Sequence, residues 1–388
     1  MPVINRIAEF SDEIAGWRHD FHRHPEILYD VHRTAGRVAE LLSSFGVDEV
    51  VTGIGRTGVV GVIRGRNPHS SKVIGLRADM DALPITEQTG KPYASTVAGK
   101  MHACGHDGHT AMLLGAARYL AETRNFEGTA VVIFQPAEEG GAGARAMMND
   151  GLLEKFGITE VYGMHNMPGI AAGHFAIRPG GIMAATDEFR ITVDGVGGHA
   201  GMPHNAVDPV VTSAHIITAL QTIVSRNVDP LRSAVVSVTM LEAGHAFNVI
   251  PRTARLTGTV RTLDETVRRF TEERLRTISQ QIAAAFGATV SIEYRHGYPV
   301  TVNSPAEASF AAAVASGVVG AERVQADADG TMGGEDFSYM LQERPGAYIF
   351  IGNGDSSQLH TENYDFNDDI LPVGVSYWVK LVETALPA

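Results

Sequence analysis

The run Thr129-Ala130-Val131-Val132-Ile133-Phe134-Gln135-Pro136-Ala137-Glu138-Glu139-Gly140-Gly141 joins an unbroken apolar segment to an acidic, glycine-rich turn. An apolar run this short, with no polar face, predicts a strand covered on both sides. Working outward, Gly58–Ile63, Lys72–Leu76, Val161–Met164 and Ala347–Ile351 read the same way. Helical spacing fills much of the chain between them. Asp12 is expected to cap a helix carrying Ile14, Trp17 and Phe21 and ending near His24-Pro25. Further helices are expected at Val31–Phe45, His109–Glu122 and Pro305–Val319 and at the end of the chain. Buried strands alternating with helices predict an α/β fold.

The pattern changes near Thr186. Phe189-Arg190-Ile191-Thr192-Val193 alternates like a half-exposed strand. A helix (Asp208–Arg226, Pro209 in its first turn), strands near Ala234–Leu241 and Ala254–Val260, a long helix (Asp264–Phe286) and a strand at Thr289–Tyr294 follow. That order, β-α-β-β-α-β, is the ferredoxin-like plan. The expected organisation is therefore a discontinuous α/β domain, 1–185 and 297–388, interrupted by an α+β domain at 186–296.

The 388 residues hold 44% hydrophobic and 19% charged side chains, the balance of a globular protein. A net charge of −13 argues against nucleic acid or an anionic membrane as the main partner. A single cysteine leaves no internal disulfide framework and fits a reducing compartment. Met1-Pro2-Val3-Ile4-Asn5-Arg6 shows no charged start before an apolar core, and no apolar run approaches the roughly 20 residues of a membrane helix. A cytoplasmic enzyme is the expectation.

That one cysteine stands in Met101-His102-Ala103-Cys104-Gly105-His106-Asp107-Gly108-His109. Alone, it reads as a small buried hydrophobe. With His106 two residues on, in a glycine-rich turn, it reads as a metal ligand, because thiolate and imidazole suit zinc-like ions. Other polar loops follow apolar strands: Arg77-Ala78-Asp79-Met80-Asp81, the Glu138-Glu139 turn, His165-Asn166, and the tail loop with His360. Ligands of open α/β sheets bind at the carboxyl ends of strands. Cys104, His106, Glu139, His165 and His360 are thus the candidate ligands. Five exceed what one tetrahedral ion takes, so two divalent ions sharing a bridging group are expected, about 3.5–4 Å apart. Adjacent side chains on an extended backbone point apart, so Glu139 can bind metal while Glu138 stands off it as a base. Asp81 and Asp107 are candidates to orient the ligand imidazoles from behind. His102 and His109 read as packing or capping residues, and His22-Arg23-His24-Pro25-Glu26 as structural.

These motifs resemble, in order along nearly the whole chain, those of the two-metal aminoacylase/carboxypeptidase superfamily. The likeness is to its amidohydrolase branch of hippurate hydrolases, N-acyl-amino-acid amidohydrolases and plant auxin-conjugate hydrolases. Gly197-Gly198-His199-Ala200, Asn248-Val249-Ile250-Pro251, Gly333-Gly334-Glu335-Asp336-Phe337 and Tyr364-Asp365-Phe366 extend the match. Thr361-Glu362 departs from it, since relatives more often carry an Asn/Ser-Pro type pair there.

The resemblance implies a mixed-sheet, zinc-exopeptidase-like catalytic domain with an inserted dimerisation domain. It implies that Cys104, His106, Glu139, His165 and His360 hold two divalent ions, zinc or manganese, with nickel or cobalt as further options. Glu138 would be general base and acid. His199 would reach the partner subunit's site in a homodimer or larger homo-oligomer. Asn248 and Arg261 would hold the substrate carbonyl and carboxylate. The implied reaction is hydrolysis of the amide of an N-acyl amino acid. The same core could instead serve a dipeptidase, carboxypeptidase or N-acetyl-diamino-acid deacetylase. A Cys104 thiol hydrolase and a non-catalytic metal-binding protein are the rivals from other classes.

Overall fold

The apolar segments pair into one sheet whose middle is parallel. The computed structural model describes residues 3–67 and 72–388, so the first two residues of the amino-terminal stretch lie outside it. The described residues divide into two compact units. The larger takes in the chain up to Gly180, Val302–Asp329 and Asp336–Ala388; the smaller comprises Gly181–Thr301 with Gly330–Glu335. That last segment was not expected in the smaller unit. It is pinned there by backbone bonds, Thr331 N–H to Ile182 O at 2.9 Å and Ala184 N–H to Gly333 O at 2.8 Å, which leave no pattern in the side chains.

In the larger unit eight strands run in the order Glu49–Ile54, Gly58–Arg64, Thr129–Gln135, Val73–Asp79, Glu160–Pro168, Gly346–Gly354, Phe175–Ala176 and Val324–Gln325. The four from Thr129–Gln135 to Gly346–Gly354 are mutually parallel and almost wholly buried. Their carboxyl ends therefore open on one edge of the sheet, where the polar loops emerge. Two strands outrun their apolar cores. Val73–Asp79 continues to the aspartate, and Glu160–Pro168 carries His165 within the strand rather than after it. Helices Ser11–Arg23 and Leu371–Ala385 pack on His106–Thr123, which is buried from His106 through Ala117. This helix begins three residues before the expected His109. Asp12 is not the cap of the first long helix. That helix starts at Ser11 with no side-chain cap, and Asp12 sits in its first turn, where a negative charge still meets the positive end of the helix dipole.

In the smaller unit four antiparallel strands run Ala234–Ala243, Thr253–Thr262, Ala185–Asp194, Thr289–His296. This is the split pairing that a β-α-β-β-α-β chain produces. Pro209–Thr222 and Glu265–Ala285 are its helices, each started by an aspartate, Asp208 and Asp264, that accepts two backbone N–H bonds. The first ends in a π turn, Ile223–Asn227. No described helix is long and apolar enough to cross a membrane.

Candidate metal centre

Behind the strand ends lies a buried charge cluster. The Arg77 guanidinium, 1% exposed, donates to Asp79 (2.6 Å), Asp336 (3.1 Å) and Gln135 (2.8 Å). Asp336 also accepts the Ala144 N–H at 2.9 Å. A buried cation is tolerated when its donors are met in this way, and the result ties three loops to one point.

Asp81, two residues beyond its strand, holds the acidic turn. Its two carboxylate oxygens accept the consecutive N–H groups of Glu138 (2.9 Å) and Glu139 (3.1 Å). Ala137 before them takes the left-handed conformation, φ 56°. The main-chain carbonyl of Asp81 accepts from His106 Nδ1 at 2.8 Å. Asp81 thus does orient an imidazole, but through its backbone. Asp107 does not. Its carboxylate turns to His22 Nδ1 (2.8 Å) and Arg18 Nη1 (3.4 Å), because successive residues at a helix start face about 100° apart.

The five expected ligands converge. Cys104 Sγ lies 3.3 Å from His165 Nε2. His360 Nε2 lies 3.3 Å, and His106 Nε2 4.0 Å, from Glu139 Oε1. Three groups of donor atoms fall within 4.8 Å: Cys104–His106–His165, Cys104–Glu139–His360, and His106–Glu138–Glu139. Cys104, His106 and Glu139 each belong to two of these groups, so the three overlap into one continuous cluster. Among the described residues the buried His106 Nε2 and Glu139 Oε1 find no hydrogen-bond partner, which a cation would remedy. Burial first, then the charges of Glu139, Glu138 and Asp79, push the Cys104 thiol well above its ordinary range. Burial opposes protonation of His106, but Asp79, Asp81 and Glu139 override it and raise the imidazole to about 10. Burial and then the neighbouring His109 push His165 well below its usual value, so its imidazole is neutral, the form that binds metal. The cluster is short of positive charge, and thiolate, imidazole and carboxylate are donors that divalent ions accept.

Asp79, His106 and His109 form a further close group, but its His109 is already spent. His109 Nδ1 donates to Asp79 Oδ1 (2.7 Å) and Nε2 accepts the Asn166 N–H (2.9 Å). No lone pair is left for an ion. His109, Asp79 and Asn166 were missed as contributors to the site. The available signal was position: His109 stands three residues after His106, on the same helix face, and Asp79 closes an apolar strand.

His199, Asn248 and Arg261 lie in the smaller unit. His199 is exposed and pairs with Val249 across a two-residue ladder, and Ala200 N–H bonds to Asn248 O at 3.0 Å, so His199 and Asn248 are brought together. Arg261 is half-buried on Thr253–Thr262, its guanidinium bonded to the Thr259 hydroxyl and Val260 O.

Comparison with known proteins agrees with the motif reading. The profile of peptidase family M20/M25/M40 matches residues 75–384. A hippurate hydrolase of Campylobacter jejuni is 45% identical over 381 residues, 98% of each chain. An N-acetylcysteine deacetylase of Bacillus subtilis is 37% identical over 97% of this chain and 98% of its own. The crystal structure of a dinuclear metal-binding peptidase of the M20 family from Bacillus subtilis superposes with a TM-score of 0.87 at 33% identity, covering 98% of this chain and 99% of the other.

Proposed function

The chain belongs to peptidase family M20/M25/M40 and is an amide-bond hydrolase, and from that premise we propose that it cleaves N-acyl or N-aroyl amino acids into a carboxylic acid and a free amino acid. The observation that carries the reading is the overlap of three donor groups through Cys104, His106 and Glu139, with Glu138 in one of them. Cys104, His106, Glu139, His165 and His360 would hold two divalent ions, zinc or manganese, with nickel or cobalt as alternatives. When bound, the pair would lower the pKa of a water and polarise the substrate carbonyl. Glu138, its backbone held by Asp81, takes the proton of the attacking water and returns it to the departing amine. Arg261 is suited to the substrate carboxylate, because its fork matches two oxygens, and Asn248 to the carbonyl.

His199 is proposed to meet the developing oxyanion from the partner subunit of a homodimer. A dimer is supported by the edge strand Ala234–Ala243, where Met240 and Leu241 are each 51% exposed, and by the fully exposed Phe247 nearby. The single cysteine supports a cytoplasmic location. A thiol mechanism is disfavoured, since a nucleophilic cysteine needs a depressed pKa and Cys104 is pushed the other way.

The test is elemental analysis together with a panel of N-acyl amino acids, before and after chelation. Two ions per chain and chelator-sensitive release of the amino acid are expected. Hydrolysis that survives complete metal removal would overturn the reading.

A further inference from the structure

Asn166 follows His165 in the strand and is fully buried. Each of its polar atoms lies within hydrogen-bond distance of a buried neighbour. Its side-chain NH2 donates to Cys104 O at 2.7 Å and faces His109 Nε2 at 3.1 Å. Its side-chain oxygen accepts from the Tyr364 hydroxyl at 2.7 Å. Its main-chain N–H donates to His109 Nε2 at 2.9 Å, and its main-chain oxygen accepts from His165 Nδ1 at 2.6 Å. His109 is in turn fixed by Asp79. The Cys104–Gly105 peptide leaves no slack in this arrangement. Gly105 has φ 89°, and a Cβ there would lie 2.2 Å from Asn166 Nδ2 and 2.5 Å from the Tyr364 oxygen.

We propose that Asn166 is the positioning residue of the centre. Its carboxamide, clamped between Tyr364 and the Cys104 carbonyl, sets where the sulfur stands, and its backbone carbonyl decides which nitrogen of His165 faces that sulfur. This rests on the reading of Cys104 and His165 as metal ligands. The chemistry admits no close substitute. Aspartate has the same shape, but it presents an oxygen to the Cys104 carbonyl and to His109 Nε2, acceptor against acceptor. Loss of such outer partners typically weakens metal binding by about 10- to 100-fold.

The probe is cobalt(II), titrated into metal-free full-length protein, with sulfur-to-cobalt charge-transfer absorbance and chelator competition as readouts. Asn166→Asp and Tyr364→Phe are compared with wild type. Tyr364→Phe removes only the hydroxyl that steadies the amide, so it tests the idea even if Asn166→Asp fails to fold. Both variants that fold are expected to bind cobalt about 10-fold or more weakly and to shift or lose the thiolate band. Metal-free Tyr364→Phe is expected to fold with a lower thermal midpoint, because the buried Asn166 oxygen loses its donor. Wild-type affinity and an unchanged band in Tyr364→Phe and folded Asn166→Asp would overturn the inference while leaving the metal centre intact. Absence of the band in wild type itself would overturn the ligand assignment, and the inference with it.

Discussion

The main-chain N–H of His360 donates to the carbonyl oxygen of Ala103 at 2.8 Å, so the tail loop is stitched to the residue preceding Cys104. His360 adopts a left-handed conformation, φ 62°, uncommon for a residue with a Cβ, and this geometry brings its imidazole to Glu139. The side chain is 52% exposed, so its removal costs little packing. His360→Ala is expected to bind one ion instead of two and to lose about 100-fold or more in turnover, with a thermal midpoint close to the parent in the metal-free state. Elemental analysis of the purified variant decides it; retention of both ions would refute the ligand role.

Glu138→Gln keeps the shape of the turn, because the contacts from Asp81 go to backbone N–H groups. Turnover is expected to fall about 10²- to 10⁴-fold with metal content unchanged. Mixing this variant with His199→Ala tests the partner-subunit role. Random exchange makes half the dimers mixed, each with one complete site, so about a quarter of wild-type activity should return. No recovery after proven exchange would place His199 outside the partner's site.

The buried His22–Asp107 pair makes stability depend on pH. Burial opposes protonation of His22, but the charge of Asp107, its hydrogen bond and that of Glu87 override this and raise His22 from 6.5 to about 9. Burial likewise opposes ionisation of Asp107, and His22 overrides it, holding Asp107 well below the carboxylate value of 3.8. A raised histidine contributes stability that is full below 6.5 and is lost as pH rises through about 9. A depressed aspartate contributes stability present above 3.8 and lost on further acidification. The pair is therefore most effective between those two unfolded-state values. His22→Gln should destabilise the metal-free protein by roughly 2–3 kcal/mol near pH 6 and by less near pH 10. Denaturant melts at both values check this, and an equal loss at the two would rule out the linkage.

Gly105→Ala meets two penalties, the positive φ and the collision with Asn166 and Tyr364. Gly46 has φ 76° but nothing within 4 Å of its would-be Cβ, so Gly46→Ala meets only the first. The expected losses are about 1 kcal/mol at Gly46 and about 3 kcal/mol or more at Gly105. Equal losses would show that the space beside Gly105 is not tight.

Much of this could be read from residue types. Thr129–Gln135 is too apolar and too short to be anything but a covered strand, and Cys104 with His106 in a glycine turn has few other uses. Where the reading failed, sequence neighbourhood was mistaken for spatial neighbourhood. Asp107 adjoins His106 in the chain yet faces His22, whereas His109, three residues on, lies beside His106 with ring centroids 5.5 Å apart. Asn166 offered no signal of its own, since a buried carboxamide declares its role only through partners 57, 62 and 198 positions away.

The order of apolar runs and the identity of the donor side chains were set by the chain alone, because periodicity and ligand chemistry are properties of residues taken one stretch at a time. Which donors share the Cys104 sulfur, which oxygen of Asp81 faces His106, and which imidazole has already spent its lone pairs were decided by the folded structure. Those facts depend on distances between loops remote in the chain, which exist only once parallel strands deliver their ends to one edge of the sheet.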